Sequence, residues 1–353
     1  MRSPKLQILV RFLSVFGRSP LRTSKYLTMA LFQQITSIVE NPDGLSSLTD
    51  SQRAKAWQRI APEIISLHRP RSPAPHGLPE QLTVSLTSYP PRFPMLPLTL
   101  RSLLAQTRKA DRIVLWIAHE DEERLTREIL DLQDEGLRIR FCPDLGPYKK
   151  IIPTLQSYPG GFIATADDDI YYWPTWLEEL VETWGGRHDE IIAHRVRQIQ
   201  LDEHGRPLPY NQWPLDATSS QIPTPFNFAT GIAGVLYPPG AFHEQVTDIE
   251  RFQKVCAKAD DIWLYWMARL NGSMVKRTPS AAPAVTWPGT QRSALFKKNV
   301  AHGNDDFIRS MIAAYGFPDT GLQGVLPSTG LPDTSEVARS QSARPPLHSG
   351  RSS

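Results

Sequence analysis

The sequence predicts an α/β fold in which a mostly parallel sheet is flanked by helices. Segments with strand patterns alternate with segments of helical spacing from residue 82 to residue 166, which is typical of a parallel sheet with right-handed crossovers. One predicted strand is almost continuously apolar, as expected where both faces of a sheet are covered. The chain has 353 residues and is 40% hydrophobic, so it is large enough to bury such a core.

The first three elements follow one another over residues 82–118. Leu82–Thr87 alternates β-branched and apolar residues and predicts a strand. Leu98–Gln106 carries its apolar residues at helical spacing. Arg112–Ala118 is the near-continuous apolar strand. These elements predict one strand–helix–strand unit.

Four more elements repeat this alternation. Glu122–Glu135 has apolar residues on one side and predicts a helix, and Leu137–Cys142 predicts the third strand. Lys150–Gln156 is predicted as a short helix, and Phe162–Ala166 as the fourth strand. The predicted domain extends over residues 81–315.

Segments of different character flank this domain. Residues 1–69 predict a helical N-terminal extension, residues 70–80 a Pro-rich linker, and residues 327–353 a disordered tail. Residues 1–39 hold six basic and no acidic residues and include an amphipathic helical pattern. That helix either lies on an anionic membrane surface or packs against protein. No apolar run is long enough to predict a membrane-spanning helix.

Composition limits the functional class. Outside residues 1–39 the chain has 33 basic and 36 acidic residues, and this slightly acidic body argues against binding of nucleic acid. Cys142 and Cys256 lie in apolar stretches and lack the spacing of a zinc site, so we expect buried thiols in a reducing compartment. The sequence therefore predicts a cytoplasmic protein, with peripheral contact to the inner face of a membrane as a further possibility.

Three consecutive carboxylates, Asp167, Asp168 and Asp169, follow directly on the fourth predicted strand. Ligands of open α/β sheets bind at the carboxyl ends of the strands, where this triplet would lie. If the chain stays extended, Asp167 and Asp169 point the same way. Two carboxylates on one side suit Mg²⁺ or Mn²⁺. The alternative is a solvated acidic turn that also caps the following helix. Thr175–Glu178 already predicts a capping box for that helix, so the triplet is not needed for capping.

A second carboxylate pair, Asp260 and Asp261, precedes a segment that is apolar nearly all the way round and predicts a buried helix. One of the two could cap that helix, which is a sufficient structural explanation for one acid. The other could act as a general base near a reacting hydroxyl. We expect Asp261 to lie nearer the cap and Asp260 to face the cleft.

Together these segments resemble bacterial glycosyltransferases of the GT-A fold, in the group similar to glycosyltransferase family 2. The resemblance covers roughly residues 80–315. Four motifs carry it: the strand and loop at Val84–Arg92, the first helix at Leu98–Thr107 with its Ser102–Thr107 pattern, the DxD-like Thr165–Asp169, and the acidic segment Ala259–Asp261. The processive Gln-x-x-Arg-Trp pattern is absent, which favours transfer of one sugar per event.

The resemblance implies a nucleotide-sugar donor bound with Mn²⁺ or Mg²⁺. It implies that Asp169 is the direct metal ligand and that Asp167 contacts ribose or metal, with His302 as an additional metal ligand. Asp260 or Asp261 would be the base of an inverting transfer, and Asp260 is preferred. The residues that would contact the donor are Thr87, Ser88, Tyr89, Arg92, Asp144, Lys149, Lys150, Asp167 and Asp168.

The expected donor is a UDP-sugar, and the expected acceptor is a glycan or a lipid-linked hydroxyl compound. Tyr210, Trp213 and Phe226 could stack on an acceptor sugar, and ordinary packing explains them equally well. Gly231 and Gly234 either let backbone approach the donor sugar or serve a tight turn. Two alternatives stay open: a metal-dependent nucleotidyltransferase and a non-catalytic, membrane-associated carbohydrate-binding scaffold.

Overall fold

The structure, a computed structural model, describes residues 65, 72–279, 285–287, 290 and 303–318. The extension at residues 1–69, except residue 65, and the tail at residues 327–353 lie outside the described residues, and so does His302. Predictions for those segments stay predictions.

A seven-stranded sheet forms the centre of the molecule. Its strands, in chain order, are β1 (Leu82–Thr87), β2 (Arg112–Ala118), β3 (Leu137–Cys142), β4 (Phe162–Thr165), β5 (Glu190–Ala193), β6 (Val235–Tyr237) and β7 (Met274–Arg277). Their spatial order is β3-β2-β1-β4-β6-β5-β7. Every pairing is parallel except those of β6, which runs antiparallel to both β4 and β5. This mixed, mostly parallel sheet confirms the predicted fold class.

Seven α-helices are described around the sheet. They are α1 (Leu96–Leu104), α2 (Arg127–Asp131), α3 (Ile152–Ser157), α4 (Trp176–Thr183), α5 (Ile249–Val255), α6 (Asp260–Leu270) and α7 (Asn304–Tyr315). In the part of the chain that the structure describes, three short strand pairs lie outside the main sheet: Ala74–Pro75 with Arg108–Lys109, Val196–Gln198 with Asn227–Ala229, and Ile170–Tyr171 with Val285–Thr286.

Each face of the sheet carries its own apolar core. Leu86, Leu100 and Trp176 belong to the core on the side of α1 and α4. Trp263 and Met311 belong to the core on the side of α3, α5, α6 and α7. The two covered faces explain the almost continuous apolar run of β2. Both cysteines are free and buried, as expected.

The predicted helix Glu122–Glu135 is wrong. The chain instead forms a 3₁₀ segment at His119–Arg124, the short helix α2, and a second 3₁₀ segment at Leu132–Glu135. Leu125 and Thr126 are extended, with ψ of 132° and 153°, and interrupt the helix. The apolar residues of this segment still reach the core, so their spacing alone does not distinguish one helix from three short turns.

The predicted capping box at Thr175–Glu178 is also wrong. The Thr175 hydroxyl donates to the carboxylate of Glu179 rather than accepting a backbone amide of α4. Among the helices that the structure describes, none has both the length and the apolar content needed to cross a bilayer.

Candidate functional site

The acidic triplet and the N-terminus of α6 lie together at one edge of the sheet. Parallel strands β1 and β4 end at this edge, and β6 begins there because it runs in the opposite direction. The edge therefore collects the loop after β1, the triplet after β4, and the Thr230–Gly234 loop before β6. Each of these segments contributes a contact to the site.

The backbone of the triplet is fixed from two sides. The Thr99 hydroxyl of α1 lies 3.0 Å from the carbonyl oxygens of both Asp168 and Ile170. Trp287 donates its indole N–H to that hydroxyl (2.8 Å) and its backbone N–H to the Asp169 carbonyl (2.9 Å). The triplet is thus held by a helix that precedes it and a segment far downstream.

The three carboxylates face two different elements. Asp168 accepts a hydrogen bond from the Ser88 hydroxyl (2.6 Å), and Asp169 pairs with Arg92 (2.5 Å); both partners belong to the loop after β1. Asp167 instead pairs with Lys150, whose Nζ lies 3.1 Å from Oδ1. The extended geometry considered from the sequence is not formed, because the chain turns at residues 168–169. The loop residues predicted to bind the donor do lie against the triplet.

The charges in this cluster perturb one another. Burial, and then repulsion by Asp169, raise the pKa of Asp168 to about 7, although the Arg92 guanidinium counteracts this. Burial also raises the pKa of Asp169, against the effect of Arg92. For Arg92 itself, burial lowers the pKa, but the carboxylates of Asp168 and Asp169 more than compensate, so the net direction is upward.

Lys150 joins the triplet to α6. Its side chain is buried, and its Nζ lies 3.0 Å from Asp260 Oδ2 as well as beside Asp167. Burial lowers the pKa of Lys150, but Asp167 and Asp260 outweigh this and hold it well above the ordinary value. The neighbouring Lys149 points elsewhere and pairs with Asp144. Both lysines are buried and ion-paired, so neither is exposed to solvent in the turn.

Asp261 is held differently from Asp260. Its Oδ2 accepts the backbone N–H of Gly231 at 2.9 Å. Burial and repulsion by Asp260 raise the pKa of Asp261 to about 7, although Lys150 counteracts this. The expected capping role is wrong, because the N-cap is Ala259 and no side chain caps this end. Both aspartates lie in the first turn, where the helix dipole favours negative charge.

Glycine is required at residue 231 by close packing. A Cβ there would lie 2.7 Å from Asp261 Oδ1 and 2.9 Å from Lys150 Nζ. Gly234 has a φ of 101°, and a Cβ there would collide with the Trp176 ring. The glycine pattern was visible in the sequence. Gly231 brings the backbone against side chains of the site, and Gly234 brings it against the buried ring of Trp176.

The remaining predicted residues occupy several places. The Thr87 hydroxyl donates to the Trp116 carbonyl at the end of β1, and the Tyr89 side chain hydrogen-bonds Arg92. Tyr210 and Trp213 are buried and in ring contact, so ordinary packing accounts for them. Sequence reasoning missed the roles of Thr99 and Gly231 as supports for the carboxylates, since both act through residues distant in the chain.

The charges of the side chains at this site are compatible with a bound divalent cation. Five carboxylates, those of residues 167–169, 260 and 261, surround two buried cations, so the cluster carries surplus negative charge. Within the described part of the chain, no group of three or more His, Cys, Asp or Glu side chains is arranged to hold a metal ion by itself. Mg²⁺ and Mn²⁺ require only one or two carboxylates when phosphate and water supply the other ligands.

Residues 91–235 of the chain match the family model described as Glycosyl transferase family 2, which confirms the predicted resemblance. This segment contains the triplet, Arg92, Lys150 and Gly231, whereas Asp260 and Asp261 lie beyond it. None of the curated proteins matches the sequence significantly.

Several solved structures are similar in fold. S. aureus TarS in complex with UDP is 13% identical, with a TM-score of 0.39; the similarity covers 58% of this chain and 59% of the TarS chain. The mannosyltransferase PcManGT from Pyrobaculum calidifontis, in complex with GDP-Man and Mn²⁺, is 14% identical, with a TM-score of 0.44 and coverage of 87% and 76%. Glucosyl-3-phosphoglycerate synthase from Mycobacterium tuberculosis, with Mn²⁺, UDP and glucosyl-3-phosphoglycerate, is 11% identical, with a TM-score of 0.38 and coverage of 69% and 82%. At these scores the likeness carries no conclusion about ligands of this chain.

Proposed function

We propose, from the glycosyltransferase family 2 match over residues 91–235, that this enzyme transfers one sugar from a nucleotide-sugar donor to a hydroxyl of its acceptor. The enzyme class rests on that match. The observation that carries the more specific proposal is that Lys150 pairs both with Asp167 of the triplet and with Asp260 in the first turn of α6, at the carboxyl edge of the sheet. Such an edge is where α/β sheets bind their ligands.

The donor is proposed to lie on the side of β1. Ser88 and Arg92 come from the loop after β1 and lie beside the triplet, where a diphosphate and its sugar can be bound. Lys149 and Asp144 lie in the loop after β3, which ends at the same edge, and are proposed to contact the nucleotide. A UDP-sugar remains the proposed donor.

Asp167 and Asp169 are proposed to hold Mg²⁺ or Mn²⁺ together with the donor diphosphate. Asp169 would then exchange its Arg92 partner for the cation, and Arg92 would be free to contact phosphate oxygens. A bound divalent cation would neutralise negative charge on the leaving nucleotide. His302 remains a proposed additional ligand.

We propose Asp261 as the general base, in place of the Asp260 preferred from the sequence. Asp260 is buried and ion-paired with Lys150, whereas Asp261 is partly exposed and contacts the Gly231 amide. A pKa near 7 suits a base that accepts a proton from the acceptor hydroxyl at neutral pH. Direct attack of that hydroxyl on the anomeric carbon would invert its configuration.

The test is release of nucleoside diphosphate from a panel of nucleotide-sugars, with Mn²⁺, with Mg²⁺, and with chelator. We expect release from one donor class that requires the cation, and an acceptor product of inverted anomeric configuration. Activity on a nucleoside triphosphate plus sugar phosphate would favour the nucleotidyltransferase instead. Nucleotide binding without any turnover on the panel would favour the scaffold.

Three parts of this proposal rest on the sequence alone. They are a glycan or lipid-linked acceptor, a cytoplasmic location, and membrane contact through residues 1–39. Removal of residues 1–39 is expected to weaken binding to vesicles of anionic lipid at low salt. Equal vesicle binding by the full-length and shortened chains would contradict the membrane contact.

A further inference from the structure

Arg195 lies directly beyond the end of β5, beside the loop that holds Asp261. Its carbonyl accepts the backbone N–H of Thr230 at 3.1 Å, and the next amide along, that of Gly231, donates to Asp261 at 2.9 Å. Since neighbouring Cα atoms are about 3.8 Å apart, the Arg195 carbonyl and the Asp261 carboxylate lie within roughly 10 Å of each other. The backbone of Arg195 is therefore a neighbour of the proposed base, and its guanidinium interacts electrostatically with Asp216, Arg197 and Tyr210.

The order of strands separates Arg195 from the donor side. The loop after β1 carries Ser88 and Arg92, β4 carries the triplet, β6 follows the loop of Gly231, and β5 leads into Arg195. Neighbouring strands are about 4.8 Å apart, so β5 lies roughly 10 Å beyond β4 in the direction away from β1. A group bound at Arg195 would thus belong to a molecule on the far side of the base from the nucleotide.

The Arg195 guanidinium is partly buried, yet it makes no hydrogen bond and no ion pair within the described residues. Arg197 nearby is occupied, with its guanidinium 4.9 Å above the Tyr210 ring and a hydrogen bond to the Trp213 carbonyl. Asp216 is the nearby acid, and its Oδ1 accepts the amide of Val196. Burial lowers the pKa of Arg195, and Asp216 offsets this only in part.

A half-buried guanidinium that makes no hydrogen bond or ion pair within the described residues keeps its fork of donors available, and that fork matches a carboxylate or phosphate group. We propose that Arg195 binds an anionic group, a carboxylate or a phosphate, on the acceptor. This proposal rests on the proposed function, because it assumes an acceptor at Asp261. It adds to that function the chemical class of the acceptor, a negatively charged sugar or sugar phosphate.

The test compares three probes built on one sugar: methyl glucoside, methyl glucuronide and glucose 6-phosphate. Their binding is measured by isothermal titration in the presence of UDP and Mn²⁺. We expect at least one charged probe to bind at least tenfold more tightly than the neutral one. Arg195→Gln is expected to lower the affinity for that charged probe about ten- to hundredfold. The glucuronide and phosphate arms identify which anion the residue binds.

Two variants control the experiment. Arg206→Gln removes the same charge from an exposed arginine of the following loop and is expected to keep the preference. Arg195→Lys is expected to retain part of it, because lysine offers a point charge without the fork. Three results would overturn the proposal. They are equal affinity for charged and neutral probes, absence of binding by the charged probes at millimolar concentration, and an unchanged preference for the charged probe in a folded Arg195→Gln variant. Binding of UDP with Mn²⁺ to the unmodified enzyme tests the proposed function separately.

Discussion

Lys150→Met is expected to destabilise the protein far more than the same change at its neighbour. Lys150 is buried between Asp260 and Asp167, whose side chains are only 10% and 25% exposed, so its loss leaves two carboxylates with little access to water. Breaking a buried ion pair from one side costs about 3–5 kcal/mol. For a domain of this size that corresponds to a fall in melting temperature of roughly 6–20 °C.

Lys149→Met is the matched control. This lysine is buried to the same degree, but its partner Asp144 is 52% exposed and stays hydrated when the lysine is removed. Because Asp144 remains in water, loss of its partner is expected to cost closer to the ~0.2–1 kcal/mol of an exposed pair than to the cost of breaking a buried one. Methionine preserves most of the packing of both lysine stems, so the comparison isolates the charge.

The pH dependence of the Lys150→Met loss provides a second readout, measured by thermal melting at about pH 8 and about pH 6. A buried carboxylate without a counter-ion binds protons more tightly in the folded than in the unfolded chain. The folded variant therefore holds more protons than the unfolded chain, and its stability rises as the pH falls. Equal melting temperatures for the two methionine variants, or a Lys150→Met loss that is the same at both pH values, would refute the buried pairing.

Three further outcomes are expected at the same site. Asp261→Asn should lower kcat about 10²–10⁴-fold, and Asp260→Asn should lower it less; the reverse ranking of the two variants would return the role of base to Asp260. Wild-type kcat/KM should rise with pH through about 7, because the base acts when it is deprotonated. Gly231→Ala should reduce transfer at least tenfold, because the added Cβ would press on Asp261. Gly185→Ala is the control, since its Cβ would lie 3.0 Å from the carboxylate of Glu190, remote from the site, and it should keep its activity; equal losses for the two variants would contradict this. Asp169→Asn should abolish the Mn²⁺ dependence of UDP binding in titration calorimetry, and unchanged dependence would remove this residue from the proposed metal ligands.

The central strands could be predicted from the sequence because their patterns are local. Leu82–Thr87, Arg112–Ala118 and Leu137–Cys142 are observed as predicted, to the residue. Each has β-branched or apolar residues in a short run with clear boundaries. The predicted helix Glu122–Glu135 failed because its polar first half makes few core contacts, and an amphipathic pattern does not exclude a break at residues 125–126.

The candidate site was predictable in its carboxylates and not in their partners. Acidic residues at the end of a strand and at the start of a helix are signals within a few residues of sequence. The link between them is Lys150, which is 17 residues from Asp167 and 110 residues from Asp260. No local pattern encodes which lysine of the Lys149–Lys150 pair turns inward. That choice depends on the tertiary positions of β4 and α6.

The support of the triplet by Trp287 has a consequence for biosynthesis. Residues 167–169 leave the ribosome well over a hundred residues before the tryptophan whose amide and indole groups complete their backbone contacts. At translation rates of about 5–20 residues per second, this delay amounts to roughly 6–24 seconds. During that interval the nascent chain carries its acidic turn with the Thr99 contacts to the Asp168 and Ile170 carbonyls available, but without the two hydrogen bonds from Trp287. A chain interrupted after residue 261 and before residue 287 would therefore bear every carboxylate of the site and still lack the Trp287 contacts.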